Sequence, residues 1–240
     1  VQRDSVEREE YAKVPSASPG EGKERDGAEN LLERILDRNN LNRAYKQVKG
    51  NHGAPGIDGM TVEQALPWLQ EHRAELLQSI REGKYTPSPV RRKEIPKPDG
   101  GVRKLGIPTV VDRIIQQAIA QQIQPIYEPL FSDASYGYRP RRSGQQAVRQ
   151  VKKYAEQGYT YAVEVDLSKY FDTLNHELLM ELLRKQIHDK RVTGLIKRYL
   201  KAGVMENGVI TRTREGSPQG GPLSPLLANI YLNAVSYTHL

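Results

Sequence analysis

Apolar side chains recur at helical spacing along most of the chain, interrupted by a few short runs that alternate instead. Leu31, Leu32, Ile35 and Leu36 share one face, and Leu41, Ala44, Tyr45 and Val48 share another, with Gly50 as a stop. Thr61 and Gln64 make a capping-box pattern ahead of a helix that carries Leu69, His72, Leu76 and Ile80 and closes at Gly83. Ile115, Ile119 and Ile123 mark another helix, which Pro125 is expected to kink or end because an interior proline removes a hydrogen bond. Ser143 and Gln146 repeat the capping box and open a helix that runs to about Gln157, with Gly158 beyond it. Asn175 reads as the cap of a helix with Leu178, Leu179, Leu182, Leu183 and Ile187, and Leu195, Ile196, Tyr199 and Leu200 lie on the next. Ser224-Pro225 opens the last helix.

The alternating runs predict strands. Val90–Ile95 and Val102–Ile107 flank Pro96-Lys-Pro-Asp-Gly-Gly101, a hairpin signal. Asn207-Gly208 between Val204-Met-Glu and Val209-Ile-Thr is a second, two-residue hairpin. Tyr161-Ala-Val-Glu-Val-Asp-Leu167 reads as a buried strand with Tyr161, Val163 and Val165 on one face and Ala162, Glu164 and Asp166 on the other. Helices mixed with hairpins, rather than a regular βαβ alternation, indicate an α+β fold.

Composition narrows the function classes. The 240 residues suffice for one large domain or two small ones. With 36 Lys and Arg against 29 Asp and Glu, the formal net charge is +7, which favours polyanionic partners such as nucleic acid. Cysteine is absent, which excludes disulfides and thiolate metal sites. No apolar run approaches the ~20 residues of a membrane span, and the charged N-terminus does not read as a signal peptide. A cytoplasmic protein without a membrane partner is the expectation. Residues 1–27, rich in charge, Gly, Ser and Pro, read as a disordered leader.

Four segments carry candidate chemistry. The 161–167 run delivers Asp166 to a turn followed by Ser168-Lys-Tyr-Phe-Asp172. An aspartate at a strand end is ordinarily a cap or turn residue; here Asp166 and the Leu167 carbonyl also suit a hard cation such as Mg²⁺, which takes oxygen ligands. Arg91, Lys97 and Arg103 in the basic hairpin read either as a solvated edge or as a clamp on a triphosphate. Gly216-Ser-Pro-Gln-Gly-Gly-Pro-Leu-Ser-Pro225 is a constrained loop of bare backbone in which Gln219 is the one amide. Tyr136-Gly-Tyr-Arg-Pro-Arg-Arg142, with Arg139, Arg141 and Arg142, suits either stacking on single-stranded RNA or a Tyr-rich packing turn.

Taken together these blocks resemble the reverse transcriptases encoded by bacterial group II introns, over about residues 28–234. The resemblance rests on five ordered blocks: Gly53-Ala-Pro-Gly-Ile-Asp-Gly59; Ile95 through Pro108; Ser135-Tyr-Gly-Tyr-Arg-Pro140; Val165-Asp-Leu-Ser-Lys-Tyr-Phe-Asp172; and Gly216 through Asn233. It implies a right-hand polymerase fold, fingers plus the first part of the palm. The divisions would be a helical extension at 28–85, fingers at 86–158 and a partial palm at 159–234. It also implies an RNA-directed DNA polymerase with two Mg²⁺ ions, acting on a dNTP, a DNA primer and an RNA template, and binding intron RNA as a maturase. Asp166 would be the first catalytic carboxylate and, with the Leu167 carbonyl, a metal ligand. Lys97, Arg103, Phe171 and Gln219 would hold the nucleotide, Phe171 as the gate against a ribose 2′-hydroxyl. Arg91, Arg139, Arg141 and Arg142 would face template or RNA. The family's later Tyr-Ala-Asp-Asp turn has no counterpart here, so these 240 residues alone are expected to be inactive. Val235–Leu240 departs from the family pattern and resembles a translated sequencing adaptor, a non-native tail. Two alternatives remain: a non-enzymatic splicing cofactor, and a reverse transcriptase of retron, diversity-generating or CRISPR-associated type.

Overall fold

The computed structural model describes residues 30–98, 100–167, 170–211, 213, 215–217 and 220–236. The expected leader at 1–27 lies outside these, as do Gln219 and most of the expected tail at 235–240. In chain order the elements are α1 (Leu31–Leu36), α2 (Arg38–Gly50), α3 (Val62–Arg81), β1 (Val90–Pro96), β2 (Val102–Ile107) and α4 (Val110–Tyr127). A 3₁₀ turn (Glu128–Leu130) leads to α5 (Gly144–Glu156), α6 (Tyr170–Thr173), α7 (His176–Gln186), α8 (Lys190–Lys201), β3 (Val204–Glu206), β4 (Val209–Thr211) and α9 (Ser224–Ser236).

Local signals produce most of these boundaries. Both capping boxes form: Gln64 Oε1 accepts from the Thr61 backbone N–H at 2.9 Å, and Gln146 Oε1 from that of Ser143 at 2.8 Å. Asn175 Oδ1 accepts from Leu178 N–H at 3.0 Å and starts α7. Pro125 does not stop α4, which continues to Tyr127 before tightening into the 3₁₀ turn. The proline sits in the last turn, where the helix has almost no further bonds to lose.

The two predicted hairpins form and join one mixed sheet in the order β2-β1-β3-β4. Ile95 faces Arg103 across the antiparallel β1–β2 pair, and Val90 lies beside Val204 in the parallel β1–β3 pair. Asn207 and Gly208 turn with φ of +50° and +80°, the left-handed pair that a two-residue turn between twisted strands demands.

One continuous core links the elements. Ile115, Ile119 and Ile123 of α4 are fully enclosed, as are Leu32 and Ile35 of α1, Leu179, Met180 and Leu183 of α7, and Leu195 and Ile196 of α8. Polar side chains fix the register of this core. Asn40 is buried and donates to the carbonyls of Ile35 (2.9 Å) and Ala118 (3.0 Å), while its oxygen accepts from Gln121 and Gln122. Asp189 caps α8 and accepts from Leu32 N–H at 3.1 Å, which ties α1 to α8. Burial pushes the Asp189 carboxyl up, but the Arg191 guanidinium and two backbone N–H groups outweigh it and hold the pKa below the ordinary value.

The expected strand at 161–167 does not form. The segment has no strand partner among the described residues, and Tyr161, Val163 and Val165 are 96%, 90% and 80% exposed. Alternation prepares a chain for a sheet, but the ladder needs a neighbouring backbone to bond. Helix α5, just upstream, likewise buries none of its residues.

Candidate nucleotide-binding pocket

Four distant blocks converge on a pocket of about 500 Å³. Arg103 and Leu105 come from β2, Phe171 from α6, Tyr138 from the 130–143 connection, and Gly220, Gly221 and Pro222 from the glycine-rich loop. Asn51 and Gly53 close one side, with Arg113 and Gln117 of α4 beneath.

Backbone bonds bring these blocks together. Ser217 N–H donates to the Phe171 carbonyl at 2.7 Å, and Gly216 N–H to the Leu174 carbonyl at 2.8 Å, so the glycine-rich loop is stitched to α6. His176 Nε2 donates to the Gly216 carbonyl at 2.6 Å. Tyr170 Oη donates to the Ala228 carbonyl at 2.7 Å and its ring meets that of Phe171 edge-on, which sets the direction of α6. Helix α9 also holds the opposite wall: Asn229 Nδ2 donates to the Gly137 carbonyl at 2.8 Å, beside Tyr138. Tyr138 stands at φ +53° and is largely exposed at the pocket.

The glycines are required by contact. A Cβ on Gly220 would stand 2.6 Å from the Gly106 carbonyl oxygen, and the residue has φ +128°. A Cβ on Gly221 would collide with Gln116 Oε1. The loop therefore lies directly on β2 and α4, and only bare backbone fits there.

Arginines do different work from what their charge alone implies. Arg91 spends Nε and Nη2 on the Pro55 carbonyl, at 3.0 and 2.7 Å. Arg113, which is buried, donates to the Ala54 carbonyl at 2.9 Å and packs against Gly53, where a Cβ would collide with its guanidinium. Together they hold the 53–59 loop against the sheet. Burial lowers the Arg113 pKa, with Asp58 acting in the opposite sense.

Arg139 is a correction to the sequence reading. It is 7% exposed, and its five N–H groups are all engaged: by Glu128 Oε1 twice, and by the carbonyls of Glu128, Ser132 and Ser135. Phe131 lies under the guanidinium, 5.3 Å from its carbon. No donor remains for RNA, so Arg139 is an internal clamp. Arg142 bonds the carbonyl and carboxylate of Asp133 and lies over Tyr136, yet stays near the surface. Arg141, at φ +60°, is exposed, with no side-chain hydrogen bond or ion pair among the described residues.

The remaining candidates are not gathered into the pocket. Lys97 is exposed at the tip of the β1–β2 hairpin, where its backbone closes the turn with Gly101 at 2.7 Å. Asp166 and Leu167 lie on the exposed 159–167 segment and do not line the pocket. Among the described residues no three His, Asp or Glu side chains come together to hold a metal ion. A lone exposed carboxylate does not make a two-ion site.

Sequence reasoning passed over a buried cluster at the start of α4. Asp112, 1% exposed, accepts from Tyr85 Oη (2.6 Å), Ser88 N–H (3.1 Å) and Thr109 Oγ1 (2.8 Å). Burial raises its pKa against these hydrogen bonds, and raises those of Tyr85 and the adjacent, enclosed Tyr199. The signal was present: Asp112, Arg113, Gln116 and Gln117 interrupt an otherwise apolar run from Val110 to Ile119. Polar residues on a buried helix face need partners and so mark an organised site.

Comparison with known proteins identifies the family. The family model described as "Reverse transcriptase (RNA-dependent DNA polymerase)" matches residues 95–238. The group II intron-encoded protein LtrA of Lactococcus lactis is 41% identical over 191 residues, covering 79% of this chain and 32% of LtrA. Protein YkfC of Escherichia coli K12 is 44% identical over 193 residues, covering 77% of this chain and 49% of its own. The chain thus spans half or less of these curated relatives. Among solved structures, a chain of a partial Cas6-RT-Cas1–Cas2 complex superposes with a TM-score of 0.59 at 25% identity, covering 87% of this chain and 34% of that one. No helix among the described residues is long and apolar enough to cross a membrane. Enzymes of the matched family generally work with divalent metal ions. The chain belongs to the reverse transcriptase (RNA-dependent DNA polymerase) family, with group II intron-encoded proteins among its relatives.

Proposed function

We propose that these residues are the nucleotide-selecting part of a group II intron reverse transcriptase, which adds dNTPs to a DNA primer on an RNA template in the cytoplasm. The observation that carries this is the convergence of Arg103, Phe171, Tyr138 and the bare Gly220-Gly221 backbone on one pocket. Arg103 supplies a fixed cation for a phosphate. Phe171 supplies a rigid wall beside which a sugar would lie, and a wall of that kind discriminates by shape. The glycine backbone allows a base pair to approach without meeting a side chain. Gln219, outside the described residues, is proposed as a nucleotide contact on the sequence resemblance alone, and Lys97 as a second cation when the hairpin tip closes over a triphosphate. Catalysis in the whole protein would rest on orientation and charge neutralisation. Mg²⁺ is the metal proposed, with Asp166 and the Leu167 carbonyl supplying only part of its ligands. The division into fingers and palm near residue 158 belongs to the same reading. Intron RNA is proposed as a further partner, supported by relatives named as intron-encoded proteins and maturases.

The test uses a full-length protein that carries these residues. Phe171→Ala is expected to raise ribonucleotide incorporation relative to dNTP at least tenfold, read as a ratio of kcat/KM values. Unchanged selectivity would remove the pocket's assignment. Asp166→Ala is expected to abolish primer extension while leaving RNA binding intact; extension near the parent's rate refutes the catalytic role.

A further inference from the structure

A second, larger cavity of about 1080 Å³ shares no lining residue with the nucleotide pocket among the described residues. It opens between α8, the start of α7, the 86–89 segment and the β3–β4 hairpin. Helix α8 is strongly two-sided. Val192, Leu195, Ile196, Tyr199 and Leu200 are buried, while Lys197, Arg198 and Lys201 line the cavity.

The three cations are not equally committed. Lys197 is matched by Glu177 at 3.0 Å. Lys201 makes no hydrogen bond or ion pair among the described residues, and with Lys197 and Arg184 it helps to hold the Glu177 carboxyl below its ordinary pKa. Arg198 is half-buried and has no acceptor among the described residues, and its Nε is enclosed without a partner. Its Nη1 lies 3.8 Å from where a Cβ on Gly194 would stand and 4.0 Å from one on Gly83, so the guanidinium crosses bare backbone. Glu177 and Glu215 are the acidic lining, and Glu177 is already taken by Lys197. An enclosed guanidinium N–H without an acceptor is costly, and an anionic oxygen relieves that cost with a charge-assisted bond. Pro87, Pro89 and Ile210 add apolar lining to the same cavity. Ile210 is 54% exposed.

Cations and apolar side chains lining one cavity match a nucleoside phosphate. We infer that this cavity is a second nucleic-acid site, which takes one nucleotide of a single-stranded RNA with its phosphate on Arg198 and Lys201 and its base against Pro87, Pro89 and Ile210. The inference rests on the proposed function only for the class of ligand, since the cavity plays no part in selecting a dNTP.

The experiment measures binding of the 240-residue chain to a fluorescein-labelled 12-nucleotide RNA by anisotropy across a salt series. Absence of RNA binding by the parent chain would count against the nucleic-acid reading as a whole and overturn this site with it. Given binding, Arg198→Gln with Lys201→Gln is expected to weaken it about tenfold and to reduce the salt slope by one to two. A control pair on α5, Lys152→Gln with Lys153→Gln, is expected to change affinity less than twofold. Equal losses from both pairs would show a charge effect without a site and overturn the proposal. So would unchanged affinity in the Arg198 and Lys201 variant. 4-Thiouridine crosslinking gives a readout that does not depend on a variant folding. Crosslinks within 194–202 or 86–89 are expected, and crosslinks confined to 136–142 would overturn the assignment. ATP that competes with the RNA stoichiometrically at micromolar concentration would replace the RNA strand with a free nucleotide as occupant, and so overturn the strand form of the proposal.

Discussion

Residues 90–107 and residues 161–167 carry the same alternation of side chains, yet only the first forms strands. In the hairpin, β1 meets β2 across a five-residue turn that is part of the same local sequence, and β3 lies along its other edge. The 161–167 run has no such neighbour among the described residues, and its apolar row stays in water at Tyr161, Val163 and Val165. The row is continued by α5, whose Val148 and Val151 are 70% and 65% exposed. The difference shows that alternation is a property of one segment and a strand a property of two. A backbone gains its ladder only when a second backbone stands about 4.8 Å away. The same contrast separates the site: the pocket is built where blocks are bonded to one another, and Asp166 sits where they are not.

Amide hydrogen exchange breaks or sharpens this comparison most directly. Paired amides of β1 and β2 are expected to exchange at least a hundredfold more slowly than those of 161–167. Equal rates would erase the distinction. Next comes the core that supports the hairpin: Ile119→Ala is expected to cost about 3 kcal/mol, read from urea unfolding, because it leaves a cavity in α4. Val163→Ala on the exposed run is expected to cost less than about 0.5 kcal/mol. A smaller effect is expected at the loop that seats on β2. Gly220→Ala meets the Gly106 carbonyl oxygen and an unfavourable φ, for about 2 kcal/mol. Gly100→Ala, in the hairpin turn with open space around it, is expected to lose only about 1 kcal/mol.

The smallest effects concern pH. The Asp189 pKa is lowered in the fold, so its contribution is present above the ordinary value of 3.8 and is lost as pH falls through the folded pKa. Asp189→Asn is expected to flatten that acid limb. The Asp112 pKa is raised, so its contribution is fully present below 3.8 and falls as pH climbs through the folded pKa. Asp112→Asn is expected to remove that opposite slope. Stability measured between pH 3 and pH 8 separates the two, and parallel profiles for both variants would show that neither carboxyl titrates as assigned.

Much of the fold was legible because its signals are short-ranged. The caps at Thr61, Ser143 and Asn175, the Asn207-Gly208 turn and the Pro-Asp-Gly-Gly hairpin each involve residues only a few positions apart. Pro125 misled because its effect depends on how much helix remains after it. In the site, Arg103, Phe171 and the glycine-rich loop were each recognisable, and the pocket brings them together. Arg91, Arg139 and Lys97 were chosen by charge. Charge does not say whether a guanidinium meets a carbonyl of its own chain, as at Pro55 and Ser132, or is left for a ligand. Arg113 and Asp112 were passed over because a helix periodicity counts apolar positions and is silent about buried polar ones.

The sequence by itself determined most element boundaries, the basic character and the family blocks, because caps, turns and periodicities act within a few residues of where they are written. Tertiary structure alone decided which arginines are clamps, that Gly220 and Gly221 are seats for the loop, and that, among the described residues, Arg198 has no acceptor in its cavity and 161–167 has no strand partner. Each of those depends on a group far away in the chain, and the free energy of a hydrogen bond or a buried face belongs to the pair that makes it.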